Sequence, residues 1–185
     1  MFVLGIDPGL SRCGYGCVAL DGGRERAVAA GVVTTDRELA VPERLATLRS
    51  DLRELVVELA PDVVVVERVF FQTNVRTAMS VGQASGGALL TASEAGCDIA
   101  EYSSNEVKLA VAGYGSATKE QVQRMVATLL GLGQPPRPPD AADALALALC
   151  HIATSRTSRL GVVGVARRAG AGLPAGAGGA AGVAR

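Results

Sequence analysis

Leu4-Gly5-Ile6-Asp7-Pro8-Gly9-Leu10, running on to Gly14-Tyr15-Gly16, leads an apolar segment into a carboxylate and then turns the backbone at once. Read as a strand, it holds Asp7 at its tip, where burial costs desolvation energy unless a positive charge meets the carboxylate. The pattern recurs downstream. Val63-Val64-Val65-Val66 is apolar without alternation, as expected of a strand covered on both faces, and it ends in Glu67. Arg68 to Asn74 then forms a loop at that strand's C-terminal edge, where open α/β sheets hold their ligands.

Working outward, the first third reads as antiparallel sheet. Val3 to Ile6 and Tyr15 to Leu20 are its first strands, Asp21-Gly22-Gly23 is a hairpin signal, and Ala27 to Thr35 is the third strand. Pro42 opens a helix with Leu45, Leu48, Leu52, Leu55, Val56 and Leu59 at helical spacing, and Pro61 stops it. Thr73 to Ala95 is helical despite Gly82, Gly86 and Gly87, each costing about 1 kcal/mol in propensity. Ala78, Gly82 and Gly86 form a smooth stripe, suited either to close packing on the chain's own sheet or to dimerisation.

Asp98 to Tyr102 is a short strand, and Ser103-Ser104-Asn105 caps the helix carrying Lys108. Gly113 to Ser116 is a flexible loop, and Thr118-Lys119-Glu120-Gln121 has capping-box spacing ahead of an amphipathic helix. Lys119 falls in that helix's first turn, where the macrodipole disfavours a cation by a few tenths of a kcal/mol, so an anion there would relieve it. The proline-rich segment 134–139 leads into a final helix opening Asp140-Ala141-Ala142-Asp143.

Composition narrows the function classes. At 185 residues and 49% hydrophobic, the chain suits one globular domain. Its apolar runs fall far short of the ~18 residues of a membrane span, and Asp7 interrupts any signal-peptide core, so a cytoplasmic location is expected. Cys13, Cys17, Cys97 and Cys150 show no zinc-site spacing and read as reduced structural cysteines; His151 reads as a satisfied helix residue. Residues 1–150 carry 13 basic and 18 acidic side chains, so a polyanion must be held by local patches and metal ions. Residues 1–158 are taken as the domain and 159–185, rich in Gly and Ala, basic and without periodicity, as a disordered tail.

Asp140 and Asp143 lie three apart, so a helix projects both from one face, their Cβ atoms about 5–6 Å apart. Alone they also suit helix capping. Together with Asp7 and Glu67 they make four carboxylates that repel one another unless divalent cations intervene. Oxygen-only ligands select Mg²⁺ or Mn²⁺. Two such ions about 3.5–4 Å apart would support in-line displacement at a phosphodiester, which is nuclease chemistry.

Gly5-Ile6-Asp7-Pro8-Gly9 with Gly14-Tyr15-Gly16, Glu67 before Val69-Phe70, Gly82-Gln83-Ala84, Val107-Lys108, Lys119 before Gln121-Val122-Gln123, and Asp140-Ala141-Ala142-Asp143-Ala144-Leu145-Ala146 together resemble the RuvC family of Holliday-junction resolvases. The resemblance runs from residue 2 to about 155. It implies an α/β, ribonuclease H-like fold, with a mixed five-stranded sheet and helices on both faces, and a homodimer. It further implies Asp7, Glu67, Asp140 and Asp143 as catalytic metal ligands, and Phe70, Phe71, Arg76, Lys108 and Lys119 as DNA-facing residues, Phe70 at the crossover. Four-way junction DNA is the implied substrate, with RuvA and RuvB as partners. Asp143 stands where some relatives have His, and Cys13 where Thr is more usual. The rivals are a nuclease of the same fold acting on structured or ribosomal precursor RNA, an actin- or sugar-kinase-like phosphate binder, and a non-cutting junction-binding module.

Overall fold

The computed structural model describes residues 1–68 and 75–159. Strand β1 (Phe2–Asp7) pairs antiparallel with β2 (Arg12–Asp21), which pairs antiparallel with β3 (Arg24–Thr34). The β2–β3 hairpin turns on Gly22 and Gly23, both at positive φ (53° and 85°), a conformation that suits the right-handed strand twist and favours glycine. Helix α1 (Val41–Leu59) follows, with Pro42 in its first turn and Leu48, Leu52 and Val56 buried. It ends before Pro61, with Ala60 in the left-handed region at φ 42°.

Strand β4 (Val63–Glu67) lies parallel to β1, and β5 (Asp98–Tyr102), reached through α2 (Val75–Glu94), lies parallel to β4. The sheet order is therefore β3-β2-β1-β4-β5, the mixed five-stranded sheet expected. Helices α3 (Ser104–Ala112) and α4 (Lys119–Leu129) begin in reciprocal capping boxes, Ser103 with Glu106 and Thr118 with Gln121. Helix α5 (Pro139–Arg159) closes the described chain.

Strand alternation splits the core in two. Leu4, Ile6, Cys17, Val64 and Val66 pack beneath α1 and α2, while Val3, Val18, Val63 and Val65 pack beneath α3, α4 and α5. Helix α5 comes unusually close to the sheet because glycines pave its track. A Cβ on Gly5 would stand 2.0 Å from the Ala144 carbonyl oxygen, one on Gly14 2.2 Å from that of Asp140, and one on Gly16 2.7 Å from Leu145. The helix answers with its own small residues, Ala141, Ala144 and Ala148, all fully buried.

Gly82 and Gly86 behave differently: a Cβ on either would meet nothing within 4 Å, so among the described residues their stripe is open and not packed on the sheet. Met79 and Leu90 on the same helix are 63% and 51% exposed. All four cysteines are free, and Cys13, Cys17 and Cys150 are buried, as expected of structural thiols. His151 is half-buried and satisfied, 3.0 Å from Tyr102 Oη through Nδ1 and 3.1 Å from Ser155 Oγ through Nε2. No described helix is long and apolar enough to cross a membrane. Residues 160–185, most of the expected tail, lie outside the described residues, and α5 carries Arg159.

Candidate active site

Asp7 and Glu67 end adjacent parallel strands. Ile6 is level with Val66 in the register, so the two acids occupy the next rung at the same sheet edge. Alternation turns both toward α5, since Asp7 follows Gly5 and Glu67 follows Val65 on that face. The turn after Asp7 is fastened from below: Thr35 Oγ1 donates to the Leu10 carbonyl at 2.5 Å, and Arg44 donates to Thr35 Oγ1 and Ser11 Oγ at 3.0 and 2.6 Å.

Asp140 and Asp143 reach the same place from the start of α5. Gly14, level with Asp7 on β2, leaves the space the Asp140 backbone occupies. The absent side chain thus delivers the helix-borne acids to the strand-borne ones. Burial pushes the Asp7 carboxyl up to about 7, reinforced by the Glu67 and Asp143 charges and opposed by Lys119. Glu67 is also raised by burial, and its carboxyl hydrogen-bonds that of Asp7. Asp7 and Glu67 therefore share a proton near neutral pH rather than both ionising.

The helix acids are met by cations. Lys119 Nζ stands 2.5 Å from Asp143 Oδ2, and Arg12 donates to Asp140 Oδ2 from Nη2 at 2.8 Å and Nε at 3.2 Å. Hydrogen bonding to Asp143 raises Lys119 above the usual lysine range. The anion at the start of α4 is thus the protein's own Asp143. No three acidic, histidine or cysteine side chains among the described residues stand together as a metal-ligand group.

The charges of Asp7, Asp140 and Asp143 all reach Lys119, and Glu67 lies beside Asp7. Lys108 sits half-buried on α3, without an ion-pair or hydrogen-bond partner among the described residues. Phe70 and Phe71 lie outside the described residues, as does the Arg76 side chain. Arg12 is the site residue the sequence reading missed. Its nearest signal is position: it precedes Gly14 and Gly16 by two and four residues, on the strand face where α5 lands.

Comparison with known proteins gives a consistent result. A family profile described as crossover junction endodeoxyribonuclease RuvC matches residues 3–151. The crossover junction endodeoxyribonuclease RuvC of Chloroflexus aggregans is 51% identical over 163 residues, covering 88% of this chain and 99% of that protein. The Thermus thermophilus RuvC structure is 39% identical with a TM-score of 0.79, covering 88% of this chain and 98% of that one. T. thermophilus RuvC in complex with a Holliday junction substrate is 37% identical with a TM-score of 0.77, over 88% of this chain and 98% of that one.

Proposed function

The chain belongs to the RuvC family of crossover junction endodeoxyribonucleases, and on that premise we propose that it resolves four-way DNA junctions by hydrolysing phosphodiesters in two strands of like polarity. The observation that carries the mechanism is the convergence of Asp7 and Glu67 from strand ends with Asp140 and Asp143 from the start of α5. These four are the proposed metal ligands and catalytic acids. The donor set is all carboxylate, and the proton shared by Asp7 and Glu67 marks a site deficient in positive charge, which suits a hard divalent cation. Mg²⁺ is the proposed cofactor, with Mn²⁺ able to replace it and two ions per subunit; held by these acids, it would activate water and stabilise the leaving oxygen.

The protein's own groups divide the remaining work. The strand ends set Asp7 and Glu67 side by side, and the glycine track seats the start of α5, with Asp140 and Asp143, against β2. Lys119 and Lys108 are proposed phosphate contacts, Lys119 at a helix N-terminus suited to anions. Phe70, Phe71 and Arg76 are proposed to engage the DNA at the crossover, in the segment following Glu67. A homodimer is supported by the open Gly82–Gly86 stripe flanked by exposed Met79 and Leu90, and it would present one site to each cleaved strand of a two-fold junction. RuvA and RuvB are the proposed partners, in a cytoplasmic setting.

Incubation with an end-labelled four-way junction tests this reading. Symmetric nicks are expected with Mg²⁺ and none with EDTA. Preferential cleavage of a structured RNA would move the assignment to the RNA-processing rival.

A further inference from the structure

Arg12 and Asp140 are 128 residues apart in sequence and meet because β2 and α5 are in direct contact at Gly14. Arginine commonly engages a carboxylate with two donors on two oxygens. Here both donors, Nε and Nη2, converge on Oδ2, and among the described residues Asp140 Oδ1 receives no hydrogen bond. The side chains are 45% and 29% exposed, so the guanidinium has room to swing into solvent. Asp143 is engaged in the same way, through Oδ2 alone, by Lys119. Each helix acid is thus steadied by a cation yet keeps an oxygen for another partner.

We infer that Arg12 is a positioning residue and stand-in cation for Asp140, holding it by one oxygen in the metal-free protein and yielding it when a divalent cation enters. The inference rests on the carboxylate metal-site reading above. Arg12 therefore competes with the metal, and its charge sets how much free cation fills the site. A surface role that merely ties β2 to α5 would leave metal affinity unchanged, because such a bridge contributes only to folding.

Mn²⁺ titration by calorimetry, in the absence of DNA, separates these roles. Arg12→Gln removes the competing charge while keeping a polar side chain, and should lower the Mn²⁺ Kd roughly three- to tenfold. Arg12→Lys, which restores the charge, should return it to within about twofold of the parent. Arg49→Gln, which breaks an exposed ion pair with Glu94 elsewhere, should leave it unchanged. Thermal melts establish that each variant is folded. A Kd for Arg12→Gln equal to or weaker than the parent's overturns the inference, while a parent Mn²⁺ site that Asp7→Asn fails to weaken overturns the metal-site reading and the inference with it.

Discussion

Asp7 and Glu67 end neighbouring strands backed by the core, whereas Asp140 and Asp143 open a helix and keep 29% and 25% of their side-chain surface exposed. The difference decides how each pair bears its charge without a metal. The strand pair is desolvated and shares a proton; the helix pair is paired with Arg12 and Lys119. Strand ends supply rigid placement at the cost of desolvation, and a helix start supplies charge where water and long basic side chains can still reach it. A site built from both halves is short of positive charge at the strand acids, which is where a divalent cation would gain most.

The sharpest way to break this contrast is to remove the desolvated carboxyl of Asp7. Asp7→Asn should reduce cleavage of a synthetic junction by on the order of 10³-fold while changing junction affinity little, as measured with a labelled junction and a binding titration in Ca²⁺. The same variant should raise the Tm of the metal-free protein by several degrees, because it deletes a carboxyl whose ionisation opposes folding. Asp143→Asn should also lose cleavage but gain no such stability, since its charge is already met by Lys119. Equal stabilisation by both would mean that the two halves do not differ.

Gly14→Ala attacks the joint between the halves. Its Cβ would fall 2.2 Å from the Asp140 carbonyl oxygen, a backbone atom, so α5 must shift. The expected cost is about 1–3 kcal/mol of stability from overpacking, with cleavage falling roughly 10²-fold as the helix acids leave register. A variant with parental cleavage would show that α5 need not sit flush on β2.

Much of this arrangement is legible in the sequence, and what is not has a common physical origin. The hairpin at Gly22-Gly23 and the capping boxes at Ser103 and Thr118 are local, so a few residues determine them. The acids stand out because each ends or opens an apolar element. Arg12 does not, since nothing near it in sequence marks Asp140 as its partner. Nor does the Lys119 environment: the sequence points to an anion at the start of α4, but only the packing of α4 against α5 makes Asp143 that anion. The Gly82 stripe suits two kinds of packing equally, and only the folded chain shows it open.

The pH dependence of the metal-free protein gives a smaller, graded effect. A carboxyl raised in the folded state binds its proton there more tightly than in the unfolded chain. Asp7, at about 7 against an ordinary 3.8, therefore contributes a stability loss that grows as pH rises from about 4 to 7 and then levels off. Tm measured in EDTA should fall across that window, and Asp7→Asn should flatten the slope. An unchanged slope in the variant would place the proton elsewhere.

The smallest expected effect falls on the exposed cation of the helix half. Lys119 is 57% exposed, so its ion pair with Asp143 is screened by water, and Lys119→Gln should cost the metal-free fold less than about 1 kcal/mol. The sign matters more than the size: removing the exposed cation destabilises slightly, whereas removing the desolvated acid Asp7 stabilises. In junction binding the same variant should weaken affinity and lower the slope of log K against log salt by roughly one, as expected of one lost phosphate contact. If the salt slope is unchanged, Lys119 serves Asp143 alone, and the helix pair is held by its cation even with DNA bound.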